Sequence, residues 1–275
     1  MCLMAGMCLM TSCGKSETDY ASQAGTIVRD TILGVPCCVY LPCAYAERAR
    51  EVFPVLYLQH GMYGSEDDWS TQGQLLHWMD SLLQCGAVRE MVVVMPDNFL
   101  GSMAPAERQA LMEAEGSVHW QKLSAEQERA YEMSGYWESH FAQFMEETEQ
   151  RYHVSTCPSQ RAIAGLSMGG FHTMHVSHHL HGQFDYIGLF SPATIPAEPN
   201  AIYDPWEEEV RIAATEAKVY WIGIGREDFL YEYVKNYRLW LEANHLEYTY
   251  YESAGGHTWD NWQDYICRFM KLLFR

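Results

Sequence analysis

The stretch GLSMG, Gly165 to Gly169, sets one hydroxyl, that of Ser167, between two glycines. It lies where an apolar run, RAIAGL, gives way to a helix-like pattern. A G-x-S-x-G at such a boundary predicts a nucleophile elbow, a sharp strand-to-helix turn that lifts the serine above a sheet. Gly165 and Gly169 are small because side chains there would collide as strand and helix come together, and Ala164 and Gly170 relieve the same crowding. Serine is a weak nucleophile at its own pKa and needs a base and a group to orient that base. With an elbow of this kind the chain order is Ser, then Asp or Glu, then His. Asp228 follows the apolar run VYWIGIG, and His257 follows YTYYES, so both stand where that order requires. Glu227 is a competing acid, read as a solvated loop charge or a helix N-terminal acid. Among twelve histidines, His257 alone combines a preceding strand, two glycines and a following C-terminal helix pattern.

An acyl-transfer site also needs two N–H groups aimed at the developing oxyanion. One is expected from Met168, at the start of the helix after Ser167, and the other from the loop QHGMYGSEDDW, where Gly61 and Gly64 allow close approach. That second donor is assigned to Met62, with Tyr63 as the other candidate.

These groups need a scaffold, and the chain alternates strand and helix patterns. TIVRDTILG and VPCCVYLP, broken at Gly34, predict an opening hairpin. Buried strands follow at FPVLYLQH (53–60), EMVVVMPD, RAIAGLS, FDYIGLFS (184–191) and AKVYWIGIG (217–225), with EYTYYES last. Helical spacing marks a helix from near Trp69 to Gly86, N-capped by Asp67 or Asp68, another over 136–152, and the segments FLYEYVKNYRLWLEAN and WDNWQDYICRFMKLLF. Alternation of this kind predicts an α/β fold, a mainly parallel sheet with helices on both faces, in one domain over 26–275. Residues 99–135 are too long for a simple connection and are read as a lid over the site or a surface insertion.

The chain has 275 residues, 48% of them hydrophobic, enough for one substantial core. Lys+Arg 18 against Asp+Glu 36 gives a net charge of −18, which repels nucleic acid and anionic headgroups and suits a neutral substrate. Residues 1–25 begin with a short apolar run that ends at Cys13. This resembles a bacterial lipoprotein leader in which Cys13 is lipidated, although no basic residue precedes the run and Met10 stands three before the cysteine. The expected location is the bacterial cell envelope, with membrane contact only through that anchor. The nine cysteines show no zinc spacing; most are expected to be buried small hydrophobes, and a disulfide between distant partners is open. His172, His175 and His179 share a helix face, but no carboxylate or cysteine sits among them in sequence and they are assigned no metal.

Five motifs, HGMYGSEDDW, RAIAGLSMGGFHTMH, FDYIGLFSPA, IGREDFLY and GGHTWDNW, stand in this order. Together they resemble the esterase D-like α/β hydrolases, in particular the feruloyl and acetylxylan esterases of polysaccharide-degrading bacteria, over residues from about 26 to the C-terminus. The resemblance implies the α/β-hydrolase fold and hydrolysis of a small-molecule ester or a feruloylated or acetylated oligosaccharide, with no metal or organic cofactor. It implies Ser167 as nucleophile, His257 as base and Asp228 as its partner. Tyr63 departs from the family, where many relatives have glycine. Tyr63, Trp69 and Trp259 are candidate contacts to a sugar or an aromatic acyl group, although Trp69 and Trp262 read more readily as core anchors of their helices and Trp259 is nearer the chemistry; His60 is read as ordering the oxyanion loop. Two other readings stay open: an S-formylglutathione-type thioesterase, and a non-catalytic glycan-binding lipoprotein on a hydrolase scaffold.

Overall fold

A computed structural model describes residues 24–48, 50–107, 109, 135–194 and 206–275. Cys13, with the rest of the leader, and most of 99–135 lie outside the described residues. Eight strands form one sheet in the order β1-β2-β4-β3-β5-β6-β7-β8. They are β1 Thr26–Ile32, β2 Val35–Leu41, β3 Val55–Gln59, β4 Val92–Pro96, β5 Arg161–Leu166, β6 Tyr186–Phe190, β7 Val219–Gly225 and β8 Thr249–Ser253. β1 and β2 form the expected hairpin, β2 runs antiparallel to β4, and all other neighbours are parallel. β3, β4, β5 and β6 are buried at every position, as strands covered on both faces must be, and β8 at the edge is only partly covered.

The described α-helices are α1 Asp68–Thr71, α2 Leu75–Gln84, α3 Asn98–Gly101, α4 Tyr136–Tyr152, α5 Met168–His179, α6 Trp206–Glu216, α7 Tyr231–Ala243 and α8 Trp259–Met270. On one face of the sheet Tyr57 of β3 meets Phe141 and Phe144 of α4 and Phe184, with ring centroids 5.4 to 6.4 Å apart. On the other, Phe190 of β6 packs against Trp221, Tyr265 and Phe269 at 5.3 to 6.3 Å. These two aromatic layers are separate hydrophobic clusters divided by the sheet.

Three expectations need correction. The helix expected from Trp69 to Gly86 is two helices, because Gln74 takes a left-handed φ of 50° and the backbone doubles back, Gly73 N–H donating to Asp68 O. Asp67 stands at the cap position but makes no side-chain cap; its carboxylate accepts from Arg29 at 2.5 Å instead. The start of 99–135 belongs to the core: Phe99, Leu100, Ser102 and Met103 are buried, and Asp97 caps α3 by accepting from Leu100 N–H at 2.9 Å. Of the six described cysteines, Cys37, Cys38 and Cys267 are buried but Cys43, Cys85 and Cys157 are exposed.

Arg161 opens β5 and places its guanidinium, 7% exposed, against the equally buried carboxylate of Glu149 on α4. Nε donates to Oε1 at 2.7 Å and Nη2 to Oε2 at 2.8 Å, while Nη1 donates to Gln183 at 2.7 Å. This bidentate pair fixes α4 to the strand that carries the nucleophile. Removing one partner strands the other charge in the interior. Glu149→Ala should therefore lose about 3–5 kcal/mol of stability in urea unfolding. Arg161→Met combined with Glu149→Leu should lose much less, and equal losses would contradict this account of the pair.

Candidate active site

The parallel strands β5, β7 and β8 end on one edge of the sheet, and each exit supplies one residue of the expected set. Ser167 follows Leu166, the last residue of β5, and has φ 53° and ψ −118°, a region that a side chain rarely occupies. β6 holds it there. Ser167 N–H donates to Phe190 O at 2.9 Å, and Ser167 O accepts from Ala193 N–H at 2.9 Å and from Phe171 N–H at 3.1 Å.

The elbow glycines are dictated by contact. A Cβ on Gly169 would lie 2.2 Å from His60 O and 2.6 Å from Gln59 O, so α5 crosses the end of β3 backbone to backbone. A Cβ on Gly165 would meet Gly169 O at 2.3 Å. The crowding anticipated between strand and helix thus also involves a second strand.

Asp228 and His257 are brought together by the loops after β7 and β8. Glu227 N–H donates to Gly255 O at 3.0 Å, tying one loop to the other. His257 Nδ1 lies 3.0 and 2.9 Å from the two oxygens of Asp228, whose side chain is wholly buried while that of His257 is 16% exposed. A carboxylate only accepts, so Nδ1 carries the proton and Nε2 keeps its lone pair. Asp228 is itself held by Leu230 N–H, donating to Oδ1 at 2.9 Å. Glu227 is exposed. Of the two acids, Asp228 is the one that is both buried and bonded to His257.

Asn261, which the sequence reading passed over, braces the histidine loop. Its Nδ2 donates to Gly256 O at 2.8 Å and its Oδ1 accepts from Ser253 Oγ at 3.1 Å. Its one sequence signal is an amide four residues after His257, in the first turn of α8.

The loop after β3 lies directly against the nucleophile. A Cβ on Gly61 would sit 2.6 Å from Leu166 Cδ1 and 3.4 Å from Ser167 Cβ, so Gly61 lets this backbone reach the serine. The loop then turns tightly, Gly64 N–H donating to Gly61 O at 3.2 Å. Tyr63 takes a φ of 68° in that turn, a left-handed conformation that favours glycine. His60 is 2% exposed; its Nδ1 donates to Gly61 O at 2.7 Å and its Nε2 accepts from Asn98 N–H at 3.2 Å. It orders the loop after β3. Met62 and Tyr63 point outward, 41% and 52% exposed.

The aromatic candidates divide. Trp69 is not a substrate contact: it is 1% exposed and its Nε1 donates to Gln59 O at 3.0 Å, locking α1 onto β3. Trp259 is partly exposed and stands edge-on between Trp69 and Trp262, 5.2 Å from each. The rings that touch His257 are others, buried Trp262 at 4.8 Å and solvent-exposed Phe229 at 4.5 Å. Sequence proximity favoured Trp259, but the helical turn of α8 carries Trp262 to the imidazole instead.

On α5, His172 Nδ1 lies 2.9 Å from Glu138 Oε1, a carboxylate from α4 that sequence spacing did not reveal. Burial is the largest influence on the Glu138 carboxyl and would raise it, but the hydrogen bond and the charge of His172, with smaller backbone and His175 contributions, together hold the pKa below its usual value. Burial lowers His175 to about 4 and pushes His178 well below its ordinary value, so both are neutral. Among the described residues no cluster of three His, Cys, Asp or Glu side chains is placed to hold a metal, and no helix is long and apolar enough to cross a membrane.

With this geometry in hand, similarity to known proteins is informative. A family model described as "Putative esterase" matches residues 35–271. An endo-1,4-beta-xylanase/feruloyl esterase of Xylanibacter ruminicola is 29% identical over 170 residues, 61% of this chain but 20% of that protein's length. A ferulic acid esterase of Anaeromyces mucronatus, solved in the absence of substrate, has 23% identity and a TM-score of 0.73, covering 97% of this chain and 96% of that one. An S-formylglutathione hydrolase of Staphylococcus aureus has 16% identity and a TM-score of 0.63, covering 92% of this chain and 97% of that one. Both structures share the α/β-hydrolase fold with this chain. The family match over residues 35–271, most of the chain's length, makes the chain a member of the esterase family.

Proposed function

We propose that the chain hydrolyses esters through an acyl-enzyme on Ser167, and that its substrates are feruloyl or acetyl esters on plant cell-wall polysaccharide fragments. The observation that carries the mechanism is the buried Asp228 carboxylate on His257 Nδ1, which leaves Nε2 as the base. His257 Nε2 takes the proton of Ser167 Oγ as the oxygen attacks the ester carbonyl. The N–H groups of Met168 and Met62 receive the oxyanion, in a loop geometry set by Gly61 and His60. As the tetrahedral intermediate collapses, the alkoxide leaves with the proton from His257. Water then gives its proton to Nε2, attacks the acyl carbonyl and releases the acid, and Ser167 recovers its proton.

The substrate half is supported by the Xylanibacter ruminicola relative and by the aromatic ring of Phe229 beside His257. A thioesterase acting on S-formylglutathione uses the same fold, so fold does not separate the two. The lipoprotein-like start, with Cys13 as anchor, favours an envelope enzyme. A non-catalytic scaffold has no need of a carboxylate buried against a histidine at the elbow.

Ser167→Ala should fold normally and lower turnover of any ester by about four to six orders of magnitude. Near wild-type turnover would contradict the scheme. Asp228→Asn should depress activity strongly and Glu227→Gln should do little; the opposite ranking would move the orienting role to Glu227. Because the base must be neutral, kcat/KM should fall on the acid side of its pH profile, and a rate that does not fall there would count against a histidine base. Methyl ferulate, p-nitrophenyl acetate and acetylated xylan, compared directly, identify the acyl group. If Cys13 is lipidated, full-length protein made in bacteria should partition with membranes and Cys13→Ser should abolish this, because several acyl chains together hold firmly. A soluble, uncleaved wild-type protein would count against the anchor.

A further inference from the structure

Phe229 is the most exposed of the large hydrophobic side chains at the described surface, 69% open to solvent. A phenyl ring gains nothing by standing in water, and this one sits between the orienting acid Asp228 and Leu230, whose N–H holds that acid. Its ring centroid is 4.5 Å from the imidazole of His257, tilted by 50°. The other ring packed on that imidazole, Trp262 at 4.8 Å, is 6% exposed and belongs to the core. Trp262 therefore backs the base from within, and Phe229 borders it on the solvent side.

The chemistry tells which part of the substrate passes there. His257 Nε2 must first take the proton from Ser167 and then hand it to the departing alkoxide, so the leaving alcohol has to lie against the imidazole. The oxyanion loop, with Met62 and Tyr63, lies against Ser167 on the β3 side. The C–H face of a neutral sugar ring packs well on an aromatic face, and the chain's charge of −18 disfavours an acidic sugar at this rim. Resting on the ester-hydrolase reading above, we infer that Phe229 is a specificity-determining residue that stacks on the sugar carrying the ester, on the leaving-group side of the site.

The test uses matched esters with a common acyl group and different alcohols. Methyl ferulate is paired with a feruloylated arabinoxylo-oligosaccharide, and methyl acetate with an acetylated xylo-oligosaccharide. Within whichever pair the wild type turns over, Phe229→Ala should lower the ratio of kcat/KM for the oligosaccharide over the methyl ester by about threefold to tenfold, mainly through KM. Phe229→Tyr should restore the ratio, and the apparent pKa of the acid limb should stay where it is in the wild type. An unchanged ratio, with both esters slowed alike or a shifted acid limb, would show that Phe229 only supports His257 and would overturn the inference alone. Failure of the wild type on all four esters would instead sink the substrate reading, and the inference with it.

Discussion

The crossing of α5 over the end of β3 is the contact on which the rest depends. At Gly169 the helix backbone lies so close to the carbonyls of Gln59 and His60 that no side chain fits, and this proximity brings the elbow and the oxyanion loop to one place. The Ser167 turn is strained, and strain persists only where surroundings over-determine it. β6 and the segment after it supply that determination through the bonds to Phe190 and Ala193, and buried Gln59 adds to it from below. Its amide donates to Thr173 on α5 at 3.3 Å and accepts from Trp137 on α4 at 2.8 Å, while its carbonyl accepts from Trp69 on α1. One residue at the end of β3 thus ties three helices to the strand beside the nucleophile.

The acid and base are positioned by a different device. β7 and β8 are neighbours, so their exits already lie about one strand spacing apart, and cross-loop bonds need only close the remaining gap. Asp228 is buried and bonded to His257, whereas the acid beside it, Glu227, is exposed. The division between a rigid inner wall and an open outer rim follows: Trp262 and Trp69 are locked in the core, while Met62, Tyr63 and Phe229 face solvent around the same catalytic groups.

Much of this was legible in the sequence because the signals were local. G-x-S-x-G with a strand before and a helix after, continuous apolar runs for strands buried on both faces, and the order Ser, Asp, His each depend on a few adjacent residues. α4, expected over 136–152, is found at Tyr136–Tyr152. What could not be read depended on contacts between distant segments. The break before Leu75 lies at Gln74, whose left-handed φ of 50° its residue type does not announce, and Trp69 is held by Gln59, ten residues earlier. Trp69 looked like a candidate platform until its burial was known, Glu138 meets His172 from another helix, and Asn261 braces a loop through backbone atoms that carry no sequence signature. Phe229 is equally silent in sequence, since exposure beside an imidazole is a property of the assembled site.

The central claim is that Ser167 is the atom-bearing nucleophile, and covalent capture tests it more directly than any rate. A fluorophosphonate, treated with native protein, should expel fluoride and add a single phosphonyl group, located by peptide mass spectrometry on Ser167. Prior denaturation, or replacement of Ser167 by alanine, should abolish the adduct. An adduct on another residue, or none on native protein that hydrolyses esters, would contradict the account.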